Sequence, residues 1–491
     1  MTTTSGVTSS VQTSSNGTTY IANTVSSGID VASLITNAVN AKLVAKTAVT
    51  DQITTNTQKI TAYQTLQTQT AALKSDFDAL ASNIAGNVFT TKQVSAATSD
   101  GTDPASILSA STTFGAVSGQ YNIVVGQLAT AFSASGTAQS SESTGLGYTG
   151  SFTIGEAGAT AATITVAPGD TLADLRNNIN ATTATSGVQA DILQLSSTQY
   201  ELVISAQDTN KAISVSGVTG TDVLHSLGVM NSGDTSFTTV TQAAQPASIT
   251  LNNATVTSDS NTFKNVLTGL NLNLLNAAPS TTVTVTVGNN VSGVTTAITN
   301  MVNDYNTLQN TIAADQKIDS DGTVDPNATL FGETLVTSLS QQLQALIPQA
   351  YGSSTSSNNL YSIGVSFNSN NNLVIDSTQL NTSLSTDFSG VQSLFASTDS
   401  TTGLADTGSA LTDSYSNLIT GSFNGAIQNL QTNDATLTTQ ADAIQTATDA
   451  YQQQLIQTYA QLEVKMQSAS NLKQQVLAIL NGSSGTNNNG G

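Results

Sequence analysis

The sequence predicts an α+β multidomain protein with a coiled-coil-like helical leg built from both chain ends and β-rich head domains inserted between them. The first observation is a stripe near the start. From Ile53 the apolar residues step by three and four through Ile60, Tyr63, Leu66, Leu73, Phe77, Leu80 and Ile84. The second is its counterpart near the end, through Ile427, Leu430, Leu437, Ile444, Tyr451, Leu455, Leu462 and Met466. Spacings near seven put such side chains on one face of a long helix. That face must be buried against another helix or a partner chain, and each end is the other's first candidate. The third observation is that alternating, strand-like patterns fall between the two stripes.

In chain order, residues 1–26 read as a disordered polar arm, rich in Ser and Thr. Residues 27–90 form the N-terminal leg. Asp30 is placed to cap a helix at Val31, with Leu34, Ile35, Val39, Leu43 and Val44 as its apolar side. From Ile53 to Ile84 this helix would run ~48 Å at 1.5 Å per residue. Residues 91–290 read as the β-rich head, with about 130–233 as an inserted subdomain. Its strands are marked by Tyr121, Ile123 and Val125, by Phe152 and Ile154, by Ile164 and Val166, by Leu202 and Ile204, by Ile249 and Leu251, and by Val283, Val285 and Val287. Pro168-Gly169-Asp170 makes a turn, and Thr171 is a candidate N-cap for a short helix to Asn180. Residues 291–410 read as a mixed helical region, 411–480 as the long C-terminal leg helix with breaks near Gly421 and Gly425, and 481–491 as a flexible tail.

Composition narrows the function. The chain has 491 residues, which suggests about three or four domains at roughly 100–200 residues each. Only 9% are charged, against roughly 25% in ordinary soluble proteins. Ser, Thr, Asn and Gln replace them, as is common outside the cell. The net charge is −20 and the only arginine is Arg176. Phosphate backbones need clustered Lys and Arg, so nucleic acid is excluded as a partner. An anionic membrane surface would repel the chain, and no run approaches about 18 apolar residues, so no membrane insertion is expected. Zero cysteine excludes disulfides and thiolate chemistry. The N-terminus lacks the basic and apolar regions of a cleavable signal peptide.

The chemical motifs are weak. Gly145-Leu-Gly147-Tyr-Thr-Gly150 matches a dinucleotide pattern, but a loop precedes it and the alternating Ser151-Phe152-Thr153-Ile154 follows, so it reads as a Gly-rich turn between strands. Asp315, Asp319, Asp321, Gly322 and Asp325 resemble a calcium loop. Aligning Gly322 with the sixth position puts Lys317 first and Ala328 twelfth, where that loop needs Asp and Glu. His225, the only histidine, lies between Leu224 and Leu227 in a patch that reads as buried or half-buried, a core or turn residue rather than a triad member. No cofactor, metal or catalytic constellation is expected, and the chain does not read as an enzyme.

The ordered motifs resemble the flagellar hook-associated protein 2 family, the filament cap proteins. Ser27-Gly28-Ile29-Asp30-Val31-Ala32-Ser33-Leu34-Ile35 is similar to the family's N-terminal signature, and Gly119 to Ala129 to its first head strand. Asp170 to Leu175 through Ile179-Asn180 resembles an insert motif shared with flagellins. Ser260 to Phe263 with Gly269-Leu270, then Val302 to Asn306, Ile363 to Val365, Leu373 to Asp376, Leu394-Phe395, Gly403 to Ala405, and Tyr459 with Leu462 to Met466 resemble its C-terminal region. Lys and Arg are scarcer than in the family pattern. The resemblance implies a homo-oligomeric extracellular cap on the bacterial flagellum, exported without a cleaved signal. It also implies flagellin, a hook-associated junction protein at the filament base and an export chaperone as partners. Ile60, Leu66, Leu73, Phe77, Leu80, Leu430, Leu437, Ile444, Tyr451, Leu455 and Leu462 would then form the packing and assembly stripe of the leg. Two rival readings stand beside it: a secreted adhesin binding glycans through its head, and a junction or flagellin-like axial protein.

Overall fold

The computed structural model describes residues 30–81, 87–233, 235–397 and 402–483, together with the backbone of Ser10–Thr13 and Thr19–Ala22. Ile84, most of the expected N-terminal arm and most of the C-terminal tail lie outside the described residues. Within the stretch expected to be a disordered arm, Ser10–Thr13 and Thr19–Ala22 pair as an antiparallel ladder.

Helix α1 spans Val31–Leu80, ~75 Å at 1.5 Å per residue. Asp30 caps it, its carboxylate accepting from the Ser33 amide at 3.0 Å. Threonine is a weak helix former, since a β-branched hydroxyl side chain competes for backbone bonds. Here the hydroxyls of Thr54, Thr57, Thr61 and Thr65 donate to carbonyls four residues back, so each is satisfied inside the helix. Buried residues begin only at Tyr63 and continue as Leu66, Thr70, Leu73, Phe77 and Leu80, a strict three–four alternation.

The chain then enters the inner head. A five-stranded antiparallel sheet has the order Ala254–Ser258, Ala247–Leu251, Gly119–Gln127, Ala278–Asn289, Lys92–Thr98. A three-stranded sheet of Thr262–Leu267, Leu270–Leu274 and Leu108–Thr112 belongs to the same body, with the one-turn helix α2 (Pro104–Ile107) leading into its last strand. Alternate residues Ile123, Val125, Val283, Val285 and Val287 enter a core shared with Phe263, Leu270 and Leu272. The outer head leaves and returns through one point, where Thr130 and Gln245 exchange backbone hydrogen bonds at 3.0 and 3.2 Å. It holds a four-stranded sheet (Thr239–Gln242, Ala131–Ser135, Gln199–Thr209, Val188–Ser196) and a three-stranded one (Ile213–Gly220, Gly150–Glu156, Ala162–Val166). Helix α3, Leu172–Asn180, starts on the expected Thr171 cap, which forms a reciprocal capping box with Asp174. Short helices α4 (Thr183–Ser186) and α5 (Val223–Ser226) complete it. Its core reaches Phe237, so this body extends past the expected limit at residue 233 to the strand Thr239–Gln242.

Beyond Asn289 the chain returns to the leg as α6 (Val291–Asp315), α7 (Thr334–Leu346), a two-stranded ladder of Val365–Phe367 with Leu373–Ile375, α8 (Ser377–Thr386), α9 (Phe388–Phe395), α10 (Leu404–Ser416) and α11 (Ser422–Ser483). The expected single helix over 411–480 is therefore two helices. The break is at 417–421, beside the predicted Gly421, while Gly425 lies inside α11. The upper half of α1 forms a bundle with α6, α7 and α10. Leu66, Leu73 and Leu80 are fully covered there, each contributing about 2 kcal/mol of burial.

Candidate assembly surface

The two chain ends do meet: α11 runs antiparallel to α1. Paired contacts fix the register. The Tyr63 and Phe423 rings lie 5.8 Å apart, Asn56 donates to Asn433 and Asp434, Lys46 donates to Gln445 at 2.8 Å, and the Lys42 ammonium sits 4.8 Å from the Tyr451 ring centre. Below Tyr63 the contacts named are thus polar or cation–π. No residue from Val31 to Ala62 is buried. Amide and ammonium contacts at this exposure are worth a few tenths of a kcal/mol to about 1 kcal/mol each.

The predicted stripe therefore divides. Leu66, Leu73, Phe77 and Leu80 lie in the bundle core, and their main neighbours are α6 and α10 rather than the far end of the C-terminal helix. Ile60 and Leu430 are half-buried at the edge of that core. Leu437 is buried, Ile444, Tyr451 and Leu455 are half-buried, and Leu462 is exposed. The register carries Leu462 opposite the start of α1. From there α11 continues to Ser483, an overhang of roughly 30 Å with no α1 residue beside it. That overhang displays Val464 (64% exposed), Leu472, Val476, Leu477, Ile479 (71%) and Leu480. The sequence reading stopped the stripe at Met466. Leu472, Val476, Ile479 and Leu480 keep the three–four helical spacing, so the periodic signal continues past Met466.

One electrostatic clamp fixes the bottom of the bundle. Glu333, the N-cap of α7, takes Lys59 at 2.6 Å and the Tyr63 hydroxyl at 3.1 Å. Burial, followed by the Glu333 charge, pushes the Tyr63 phenol well above its usual range, so it stays a donor. The other singled-out groups have structural surroundings. Gly145–Thr149 is an irregular segment that ends at the strand Gly150–Glu156. In the Asp-rich loop, Lys317 bonds Asp325 at 2.6 Å and Asp319 at 3.1 Å, placing an ammonium between the carboxylates. His225 is exposed, contrary to the buried or half-buried expectation. Leu224 and Leu227 turn into the core while its ring lies outside and Nδ1 meets the Met230 carbonyl at 3.2 Å. Among the described residues, no group of three His, Cys, Asp or Glu side chains is placed to hold a metal ion, and no helix is long and apolar enough to cross a membrane.

A covered bundle, two stacked β bodies and a half-covered helix pair with an apolar overhang define an axial assembly subunit. Residues 27–132 match the flagellar hook-associated protein 2 N-terminus, residues 244–471 match its C-terminus, and residues 148–208 match the flagellin hook IN motif. Flagellar hook-associated protein 2 of Escherichia coli strain K12 is 28% identical over 458 residues, covering 90% of this chain and 94% of that protein. The Aeromonas caviae protein of the same name is 26% identical, covering 75% and 79%. The crystal structure of the D1-D2-D3 domains of the flagellar cap protein FliD from Escherichia coli superposes with a TM-score of 0.58 at 26% identity, covering 75% of this chain and 99% of that one. The chain belongs to the flagellar hook-associated protein 2 family.

Proposed function

We propose that this chain caps the tip of a bacterial flagellar filament, as a homo-oligomer that promotes folding and insertion of exported flagellin. The carrying observation is the contrast along the leg. The bundle at the top is closed by its own residues, whereas the α11 overhang leaves Val464, Leu472, Val476, Leu477, Ile479 and Leu480 exposed, although the strand Thr19–Ala22 touches α11. Such surface, contiguous with a stable body, fits docking onto neighbouring subunits. Flagellin and further cap copies are the partners this reading assigns to the lower leg, with the junction protein at the filament base. An export chaperone covers the overhang before assembly. The role is mechanical rather than enzymatic.

The test is complementation of a cap-deletion strain with a chain lacking Tyr451 to Leu480. The expected result is short or absent filaments with flagellin released into the medium, while the purified variant keeps its β bodies by circular dichroism. Normal filaments and swimming from that variant overturn the reading.

A further inference from the structure

The two most exposed large aliphatic side chains of the described residues stand next to each other. Leu418 is 78% and Ile419 84% exposed, in the loop joining α10 to α11. This loop is not loose. The Asn417 side-chain oxygen accepts from the amides of Ile419 and Thr420 at 3.0 and 3.1 Å, and Gly421 N–H donates to the Asn417 carbonyl at 2.9 Å. Asn424 Nδ2 donates to the Ile419 carbonyl at 3.1 Å. A Cβ on Gly421 would come within 2.4 Å of the Asn417 carbonyl, so the turn closes this tightly only around glycine. A pinned pair of aliphatic side chains facing water has no use inside this chain.

A second apolar exposure is equally fixed. Ile318 and Val324 face each other across an isolated antiparallel bridge in the α6–α7 loop, and Phe331 follows. All three are exposed. Lys317 braces the loop through Asp319 and Asp325, and Gln316 ties it to the Leu330 carbonyl at 2.7 Å and the Gly332 amide at 3.3 Å.

The two features share a height on the leg. Glu333, just after the second loop, bonds Lys59 and Tyr63, and Phe423, just after the first, lies against Tyr63. They also leave different sides of the bundle. Helix α1 packs on α6 and α10, and α7 packs on the same two, so the four helices occupy the corners of a square with α1 and α7 diagonal. The α6–α7 loop spans one side, and the α10–α11 loop leaves the opposite side, where α10 hands over to α11 beside α1.

A contact between unlike patches repeats from copy to copy, and it closes into a ring only when it carries no rise along the axis. Two apolar patches at one height on opposite sides meet that condition. We infer that Leu418 and Ile419 of one copy insert against Ile318, Val324 and Phe331 of the next, making the lateral contact between legs. The inference rests on the homo-oligomeric cap reading and names its partner surface as a second copy of this chain.

The absence of cysteine gives a clean probe. Full-length Ile419→Cys and Phe331→Cys chains are mixed and treated with a short bismaleimide, and the doubly substituted chain is treated alone. The expected products are mixed dimers from the first and a ladder ending in one closed species from the second, with neither single variant cross-linking to itself. In parallel, sedimentation of the Leu418→Asp/Ile419→Asp chain should show self-association at least tenfold weaker than the parent, with unchanged circular dichroism. Self-linking of Ile419→Cys, no mixed product, no association of the parent, or unchanged association of the aspartate variant each overturns the contact. Filament growth in the complemented strain separates the two levels. Normal filaments with no mixed product reject this contact and leave the cap reading standing. A confirmed contact with normal filaments after loss of the protein rejects the cap reading alone.

Discussion

Replacing Asp76 by asparagine should stabilise the bundle, by an amount that grows as pH rises from about 4 to about 7. Asp76 on α1 faces Asp304 on α6, and its Oδ2 is buried without a hydrogen-bond donor. Lys74, a cation two residues away, is engaged by Asp78 at 2.7 Å. Burial, then the charge of the Asp304 carboxylate facing it, raise Asp76 from 3.8 to about 7. The unfolded chain loses this proton near pH 4, whereas the folded chain holds it to about pH 7. Across that window the unfolded state binds fewer protons, so stability falls as pH rises; below it the penalty is absent and above it complete. A displacement from 3.8 to about 7 corresponds to at most about 4 kcal/mol. Asp76 is only half-buried, and water screening reduces the figure to about 1–2 kcal/mol. An asparagine amide donates to Asp304 without adding charge. Because a chain of several bodies does not unfold in one step, the assay is local hydrogen exchange of α1 and α6 amides at pH 5 and pH 8. Asp76→Asn should slow corrected exchange about 5–30-fold at pH 8 and only about two- to fourfold at pH 5, where roughly a third of the penalty is already present. Equal gains at both pH values, or faster exchange at pH 8, refute the reasoning.

Gly408→Ala should destabilise the bundle by about 1–3 kcal/mol despite alanine's better helix propensity, because the new Cβ would lie 2.6 Å from the buried Phe77 ring; differential exchange in α10 reads it. Leu437→Asp with Ile444→Asp places charges on a buried and a half-buried position. The expected result is a folded bundle with a frayed lower helix pair and weakened assembly, measured by circular dichroism and sedimentation, since the deep core lies above both sites. Deleting 131–244 and joining Thr130 to Gln245 by a short Gly/Ser linker should leave the inner head and leg folded. Those two residues already bond each other, and the outer head has its own core.

The elements that sequence revealed are those with one buried face. Ile123 with Val125, Phe152 with Ile154 and Val283 through Val287 alternate because one side of each strand enters a core, and the helix at Thr171 shows because its cap, acidic third position and apolar face agree. Strands such as Thr239–Gln242 and Ala254–Ser258 escaped notice because they are sheet edges with little buried surface. The leg stripe was legible as a period but not as a partner assignment. Leu66 through Leu80 carry the same spacing as Leu437 through Leu462, yet the first set is covered by α6 and α10 and the second only partly by α1. Heptad spacing says that a face is buried, not by which helix. Leu418 and Ile419 gave no signal, since two adjacent aliphatic residues fit a buried strand or an exposed loop equally well.

The distribution of cover along the leg bears on what stabilises each part. Three cores close without help: one in the bundle and one in each head body. Below Tyr63, α1 offers no buried residue, and its named contacts with α11 are amides, ammonium groups and one tyrosine face. Threonine, frequent in both helices, is a weak helix former, and most helical stability in proteins comes from packing an apolar face. The lower pair, whose buried positions are confined to Leu437, Ala441 and Thr448 on α11, and the overhang therefore gain less from burial within the chain than the bundle and heads do. The exposed apolar side chains of α11 thus lie at the end of the leg away from the heads. On the proposed reading, docking onto neighbouring subunits would supply the cover that the lower leg lacks within its own chain.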